Sequence, residues 1–277
     1  MNPVRIAIRF VLAWIALVAA QMVAGMFINV DSSPVPGVMR WLMLSDAVVV
    51  LALGAAAMRS DWRDWRLARA LFFIPAVIAT VNMIEGVLFL PNTHLDWRGI
   101  LALMIASYAI AAVLWLLIFR SAPVPRASVE ATLPHRSFLQ ILSRAVLCSA
   151  SYVFLYFLAG SIIFPYVRDF YATQHIPSLG QIVSLQFFVR GPVFILVCLT
   201  LLRMMRLPHL SGALAVGLAF TVLSGVAALI IPNPVFPDSV RWVHFGEVTS
   251  SNFVFGCVVG WVWGQRQRVV QLAQAHA

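Results

Sequence analysis

Residues 99–119 read GILALMIASYAIAAVLWLLIF, an apolar stretch that contains no charged residue. A helix needs about 20 apolar residues to cross the hydrocarbon core of a bilayer, which is about 30 Å thick. The chain holds eight such stretches, at roughly 5–28, 41–58, 67–90, 99–119, 145–165, 183–202, 210–231 and 243–264. Because lipid offers no hydrogen-bond partners, long continuous runs of this kind favour helices over the short alternating strands of a barrel. The sequence therefore predicts an all-α, polytopic membrane protein with eight transmembrane helices.

The composition excludes a water-soluble globule. Hydrophobic residues make up 62% of the 277 residues and charged residues only 10%, whereas soluble domains average about 25% charged residues. The net charge of +9 is not accompanied by a basic patch interleaved with aromatic residues, so nucleic acid is not an expected partner. No feature of the sequence indicates an oligomeric state.

The basic residues, all nineteen of them arginine, alternate between connections. Fourteen lie before the first apolar segment or after the second, fourth, sixth and eighth: Arg5, Arg9, Arg59, Arg63, Arg66, Arg69, Arg120, Arg126, Arg136, Arg144, Arg203, Arg206, Arg266 and Arg268. Arginine-rich loops stay in the cytoplasm. We therefore predict a bacterial inner-membrane protein with both termini cytoplasmic, whose arginines contact anionic membrane lipids.

The first apolar segment begins like a secretory signal peptide, with Arg5 ahead of an apolar run and small residues at Ala19 and Ala20. The apolar run continues to Ile28, so we expect this segment to be kept as a helix of the bundle.

An offset of 141 residues maps the first four segments onto the last four. Residues 87–92, VLFLPN, correspond to 228–233, ALIIPN, and both are followed by an aspartate and an arginine. Four crossings in each half bring both halves in from the same side, which predicts a parallel repeat about an axis along the membrane normal. The predicted units are a first four-helix half, 1–120, a cytoplasmic linker, 121–144, and a second four-helix half, 145–277.

Ionisable residues inside membrane helices are costly, and a functional role is the default hypothesis for them. Asp46, Glu85, Arg190 and Glu247 lie within apolar segments. Asp46 and Arg190 each precede a cytoplasmic arginine by thirteen residues, which places both about 20 Å from the inner boundary. An ion pair between Asp46 and Arg190 is therefore geometrically reasonable. Three roles are open for these charges: a pair that locks helices together, part of a charged-substrate site, or side chains that snorkel to the interface.

Arg190 precedes Gly191 and Pro192, and proline removes a backbone donor, so the sixth helix should kink or break there. A break beside an arginine suits the binding of a small anion. Gln186 lies one turn earlier on the same face.

The eighth segment carries the most polar intramembrane stretch. His244, Glu247 and Ser251 share one helix face, and Asn252 flanks it. On the third segment Asn82 and Glu85 share a face as well. These residues serve either helix–helix hydrogen bonding or a pocket. The full set of ligand-binding candidates is Asp46, Asn82, Glu85, Gln186, Arg190, His244, Glu247, Ser251 and Asn252.

No metal or cofactor is predicted. The three cysteines show no metal-ligand spacing, and burial in apolar segments suits simple packing. His94 and His244 lie one per half at the outer boundary, which gives only a weak case for a haem with two histidine ligands. A metal site from His94, Asp96, Glu85, His244 and Glu247 lacks a supporting motif.

Three functions remain open from the sequence. The first is a small-molecule or ion permease or binder with a polar cavity facing the periplasm. The second is a membrane-embedded enzyme that acts on a lipid or envelope precursor, with His244 or Glu247 as acid or base. The third is a structural, sensory or assembly protein whose buried charges only set packing. The apolar inner half of each helix counts against a transporter, because a substrate must also leave.

Overall fold

Eight helices account for most of the part of the chain that is described by the computed structural model, namely residues 2–30, 37–90, 95–120, 122, 137–174, 176–232 and 235–264. They are α1 (Pro3–Gly25), α2 (Val38–Arg59), α3 (Trp65–Phe89), α4 (Trp97–Phe119), α5 (Phe138–Tyr171), α6 (Leu179–Met205), α7 (His209–Leu229) and α8 (Asp238–Trp263). Within these ranges the remaining residues form turns and loops.

Seven of the helices, α1 to α7, are long enough and apolar enough to cross a membrane. The chain is therefore a helical, multi-pass integral membrane protein. Helix α8 has 26 residues, which is about 39 Å and enough for a crossing. Its mean hydropathy is lower because polar side chains are concentrated in its N-terminal half.

Helix α5 begins earlier than the sequence pattern suggested. It starts at Phe138, where Ser137 Oγ accepts a hydrogen bond from the Gln140 backbone N–H and Gln140 Oε1 accepts one from the Ser137 backbone N–H. This reciprocal cap extends the helix into the predicted linker, whose residues 121 and 123–136 lie outside the described part. With 34 residues α5 is about 51 Å long and exceeds the hydrocarbon core.

The helices pack in two groups of four with the same set of neighbours. In the first group α1 contacts α2 and α4, and α4 contacts α3. In the second group α5 contacts α6 and α8, and α8 contacts α7. The groups meet where α2 and α3 pack against α6 and α7. Helix α1 belongs to this bundle, as expected, because Ala13 and Leu17 are fully buried.

Helices α7 and α8 cross with their backbones in close contact. A Cβ atom added at Gly256 would lie 2.7 Å from the Cα of Gly217, and one at Gly260 would lie 2.6 Å from the Cα of Ala213. Gly256 and Gly260 form a GxxxG pair on α8, and only small residues allow such an approach.

One end of the bundle gathers the loops that the arginine pattern places in the cytoplasm. The Arg206 Nη2 lies 2.6 Å from Asp61 Oδ2, which joins the α6–α7 loop to the α2–α3 loop. Arg63 Nε donates to the Ala122 carbonyl at 3.2 Å. Arg144, near the start of α5, donates to the Val262 carbonyl at the end of α8. Basic side chains thus tie both groups of helices together at this end.

Candidate functional site

Arg190 on α6 is a buried ionised group at the contact between the two groups of helices. It forms an ion pair with Glu85 of α3, and its side chain is 6% exposed. Arg190 Nη2 donates to Asn82 Oδ1 at 3.0 Å, and Gln186 Nε2 donates to Glu85 Oε1 at 2.9 Å. Four of the candidate residues therefore form one hydrogen-bonded cluster between the two groups of helices. We call Asn82, Glu85, Gln186 and Arg190 the arginine cluster.

Two further contacts hold the arginine in place. Its guanidinium carbon lies 5.0 Å from the ring centre of Phe194 and 5.7 Å from that of Tyr152, distances at which cation–π attraction operates. Arg190 Nε has no hydrogen-bond partner in the described part of the chain.

The expected pair between Asp46 and Arg190 is wrong, because Arg190 is paired with Glu85 instead. Asp46 lies elsewhere, where its Oδ1 accepts a hydrogen bond from Gln21 Nε2 of α1 at 2.9 Å. Helical rise gives only the depth of a residue in the membrane, and several candidate residues share the same depth. Which of their side chains meet depends on the rotation of each helix about its axis.

The predicted break at Gly191 and Pro192 takes the form of a π-helical segment. Residues Leu185–Arg190 are π-helical, and the Gly191 N–H bonds to the Gln186 carbonyl. A second π-helical segment, Val222–Val226, lies in α7. Its Ser224 carbonyl accepts from Asn82 Nδ2 at 3.2 Å. Both segments therefore supply residues of the same polar region.

A second polar group lies where the C-terminal end of α5 meets the N-terminal half of α8. Tyr171 Oη and His244 Nε2 are 2.9 Å apart, and His244 Nδ1 and Glu247 Oε2 are 2.6 Å apart. The side chains of His244 and Glu247 are 13% and 11% exposed. Glu247 fixes which imidazole nitrogen faces Tyr171, as a carboxylate does for a catalytic histidine. We call Tyr171, His244 and Glu247 the histidine relay.

Two tyrosines of α5 connect the relay with the arginine cluster. Tyr152 and Tyr156 are each within electrostatic range of Glu85, Arg190 and Glu247. They lie one helical turn apart and therefore on one face of α5. Tyr152, whose ring centre lies 5.7 Å from the Arg190 guanidinium carbon, places this face of α5 against the arginine cluster.

The remaining candidates play supporting roles in the described contacts. Asn252 Nδ2 donates to Ser224 Oγ at 2.8 Å, which ties α8 to α7. Ser251 Oγ donates to the Val248 carbonyl of its own helix at 3.5 Å. Asn252 is therefore brought to the polar region through Ser224, whereas Ser251 is not joined to it by a side-chain bond.

The arginine cluster is closed in this structure. Gln186 and Arg190 are buried, and Glu85, with 24% of its side chain exposed, is its most accessible charge. A mainly apolar groove of about 470 Å³ lies between α3 and α6, next to the cluster, and is lined by side chains that include Leu88, Phe89, Ile182 and Leu185. The polar side chains and this groove together mark the outer part of the contact between the two groups.

Sequence reasoning missed Gln21, Tyr152, Tyr156, Tyr171 and Ser224. Gln21 is an amide within an otherwise apolar segment, which was an available signal. The tyrosine spacing on α5 was a second signal, but interfacial anchoring explains such residues equally well from sequence. Nothing in the local sequence distinguishes Ser224, whose role depends on the π-helical segment.

The metal and haem alternatives find no donor set in the described residues. His94 lies outside them, and the described residues contain no group of three or more His, Cys, Asp and Glu side chains placed to hold a metal ion. The chain matches no protein-family model, and no curated protein and no solved structure is significantly similar to it.

Proposed function

We propose that this chain is a permease or binder for a small molecule or ion, with its ligand site at the arginine cluster and a small anion as the expected ligand. The site lies in the outer half of the bundle, where the two groups of helices meet. We further propose that the protein resides in the bacterial inner membrane with both termini in the cytoplasm, as the arginine distribution indicates.

The observation that carries this proposal is the position of the two π-helical segments. Each of the two in the described chain, Leu185–Arg190 and Val222–Val226, contributes side chains or carbonyls to one polar region. Such segments are rare and occur frequently at functional sites, because they widen the helix and alter its hydrogen bonding. Packing alone would be served by regular helices.

Eight crossings and a parallel repeat form part of the proposal. The neighbours of each helix in the first group recur in the second, with α1 to α4 corresponding to α5 to α8. Asn82 of α3 contacts Ser224 of α7, and with an offset of 141 residues each is within one position of the other's equivalent. A contact of this kind lies on a pseudo-twofold axis, which supports a site between two related halves.

The charges of the cluster supply a mechanism for anion binding. Glu85 occupies the guanidinium of Arg190 and is the more exposed partner. An anion takes the place of the Glu85 carboxylate at Arg190, and Glu85 binds a proton as it leaves. The charge of the buried site then stays constant, which avoids the cost of an unpaired ion in a low-dielectric interior.

The full chain, purified in detergent, tests the proposal by thermal unfolding with chloride, acetate, succinate, phosphate and sulfate at equal ionic strength. We expect one of these anions to raise the unfolding midpoint in a saturable manner relative to chloride, because a ligand stabilises the state that binds it. The Arg190→Gln variant should lose this increase.

The matched control is Arg168→Gln, since Arg168 is exposed and its ion-pair partner among the described residues is the exposed Asp169. It should respond to the anion as the wild type does. Stabilisation that survives in Arg190→Gln, or the absence of any increase over chloride in the wild type, would contradict the proposed site. Uptake of the stabilising anion into proteoliposomes then separates a permease from a binder.

A second candidate function, a membrane-embedded enzyme, is favoured by the histidine relay. A carboxylate, an imidazole and a hydroxyl in hydrogen-bonding sequence form the arrangement that general acid–base catalysis requires. The relay lies at the outer end of α5 and α8, where a lipid headgroup or an envelope precursor would reach it. Loss of a lipid-modifying activity in Tyr171→Phe and His244→Gln, with anion binding unchanged, would favour the enzyme.

A further inference from the structure

Asp46 of α2 is a buried carboxyl group whose hydrogen bonding is only half satisfied. It is 5% exposed. Its Oδ1 accepts from Gln21 Nε2, while its buried Oδ2 has no hydrogen-bond partner in the described part of the chain. Buried polar atoms without a partner are rare and require an explanation.

The helices packed around α2 leave this carboxyl without a cation. Helix α1 presents the neutral Gln21, and α4 presents Tyr108, which lies within electrostatic range. On α3 and α6 the ionised groups of the outer half, Glu85 and Arg190, are paired with each other.

The other neighbours do not supply a cation either. On α7 the nearby contact is the Ala227 carbonyl, which accepts from Ser45 Oγ at 2.6 Å. Arg40 of α2 itself lies six residues earlier, with its guanidinium carbon 5.8 Å from the centre of the Trp41 ring. No ion pair involving Asp46 occurs among the described residues.

An ionised carboxylate in this position would be very costly, because neither lipid nor a fixed positive charge compensates it. A metal ion would need several oxygen ligands, and the described surroundings of Asp46 offer one amide and one phenol. A proton needs only the carboxyl oxygen itself. We propose that Asp46 is an exchangeable proton-binding site, with the proton carried on Oδ2 in the packed state.

The place of Asp46 suits exchange with the outer side. It lies eight residues from the first residue of α2, about 12 Å along the helix axis. The inference rests on the proposed function in one respect only, namely that this proton would be the coupling ion of the permease. The proton site itself requires no ligand at the arginine cluster and is tested without one.

Thermal unfolding of the full chain in detergent, from mildly acidic to mildly alkaline pH, tests the site. The folded wild type holds a proton that the unfolded chain has released, so its midpoint should fall as pH rises. Asp46→Asn has the shape of the protonated side chain and cannot titrate. It should lose a clear part of that pH dependence and unfold at a higher midpoint than the wild type at alkaline pH.

Asp169→Asn is the matched control, because the side chain of Asp169 is 96% exposed and its replacement should leave the pH dependence unchanged. Infrared difference spectra between mildly acidic and mildly alkaline pH give a second readout, which observes the protonated carboxyl group directly. A carbonyl stretch of a protonated carboxylic acid should be present in the wild type and in Asp169→Asn, and absent in Asp46→Asn.

Three results would overturn the proton site. The first is a pH dependence in Asp46→Asn equal to that of the wild type together with an unchanged carbonyl stretch. The second is an Asp46→Asn variant that is destabilised at every pH while Asp169→Asn folds normally, since this would mean that the negative charge itself is needed. The third is stabilisation of the wild type by sodium over choline at alkaline pH that is lost in Asp46→Asn, which would assign a metal cation instead.

Discussion

The two groups of helices share one packing pattern but fill it with different side chains. In the first group the contacts between α4 and its neighbours contain large aromatic residues, with Trp115 and Phe119 almost fully buried. In the second group Gly256 and Gly260 of α8, which lie 141 residues after Trp115 and Phe119, allow α7 to approach backbone to backbone. Large aromatic side chains therefore fill the α4 contacts of the first group, whereas the backbones of α7 and α8 lie in direct contact in the second.

The two groups also supply different polar residues. Arg190, His244 and Glu247 belong to the second group, and the residues at the corresponding positions of the first are Val49, Leu103 and Ala106. The partners of Arg190, which are Asn82 and Glu85, come from α3 of the first group. Both groups therefore contribute to the polar region: the second supplies Arg190, His244 and Glu247, and the first supplies Asn82 and Glu85 to the arginine cluster.

Removal of the positive charge from the arginine cluster should have the largest effect. Arg190→Met leaves Glu85 unpaired at a largely buried site, and we expect a loss of about 3–5 kcal/mol in the free energy of unfolding. Arg168→Met, in the outer exposed pair, should cost less than about 1 kcal/mol. Denaturant unfolding in mixed micelles measures both, and equal losses would remove the special status of Arg190.

The close crossing of the second group should tolerate no bulk. Gly256→Leu places a side chain where the Gly217 Cα lies 2.7 Å from the added Cβ, and overpacking of this kind costs about 3 kcal/mol. Gly246→Leu on the same helix is the matched control, because nothing lies within 4 Å of a Cβ added there. Size-exclusion profiles and unfolding midpoints should separate the two variants; similar behaviour would show that α7 and α8 are not in close contact.

A substitution in the aromatic packing of the first group should lower the free energy of unfolding by less. Trp115 Nε1 donates to the Ala13 carbonyl at 2.8 Å, across the α1–α4 contact. Trp115→Phe keeps most of the apolar contact and loses this hydrogen bond, which is worth about 1 kcal/mol. Trp261→Phe, at a half-exposed position, should change the unfolding free energy less. A loss of several kcal/mol for Trp115→Phe would contradict this expectation, because it would match the loss expected for Gly256→Leu.

The smallest effect should come from the ion pair that joins the two groups at the arginine-rich end. Asp61 and Arg206 are about one-third exposed, and pairs of this kind contribute about 0–1 kcal/mol and are screened by salt. Asp61→Asn should therefore lower stability slightly in low salt and not measurably in high salt. A large loss that persists in high salt would show that this end is buried more deeply than the structure indicates.

Much of the fold follows from the sequence because membrane crossings leave a strong pattern. Length and hydropathy located the apolar segments. The early start of α5 was missed because residues 138–144 include polar side chains and Arg144, which resemble a loop. Its cap at Ser137 became evident only from the hydrogen bonds.

The sequence indicated which residues are candidates for the site, but not which of them contact one another. Rise along a helix gives depth, so Asp46, Glu85 and Arg190 were all expected in the outer part of the membrane. Which acid meets the arginine depends on the rotation and tilt of three helices, and the π-helical segment in α6 changes the rotation of the residues around Arg190. Local sequence does not specify these quantities.

The central claim is that α8 crosses the membrane as an eighth helix and that both halves enter from the cytoplasm. Thiol labelling tests it most directly, with a membrane-impermeant reagent and a cysteine appended to the C terminus of a cysteine-free chain. Gly180→Cys, at an exposed outer position, serves as the positive control in intact cells. The account predicts that the appended cysteine reacts only after the membrane is permeabilised. Labelling in intact cells at the level of Gly180→Cys would contradict it.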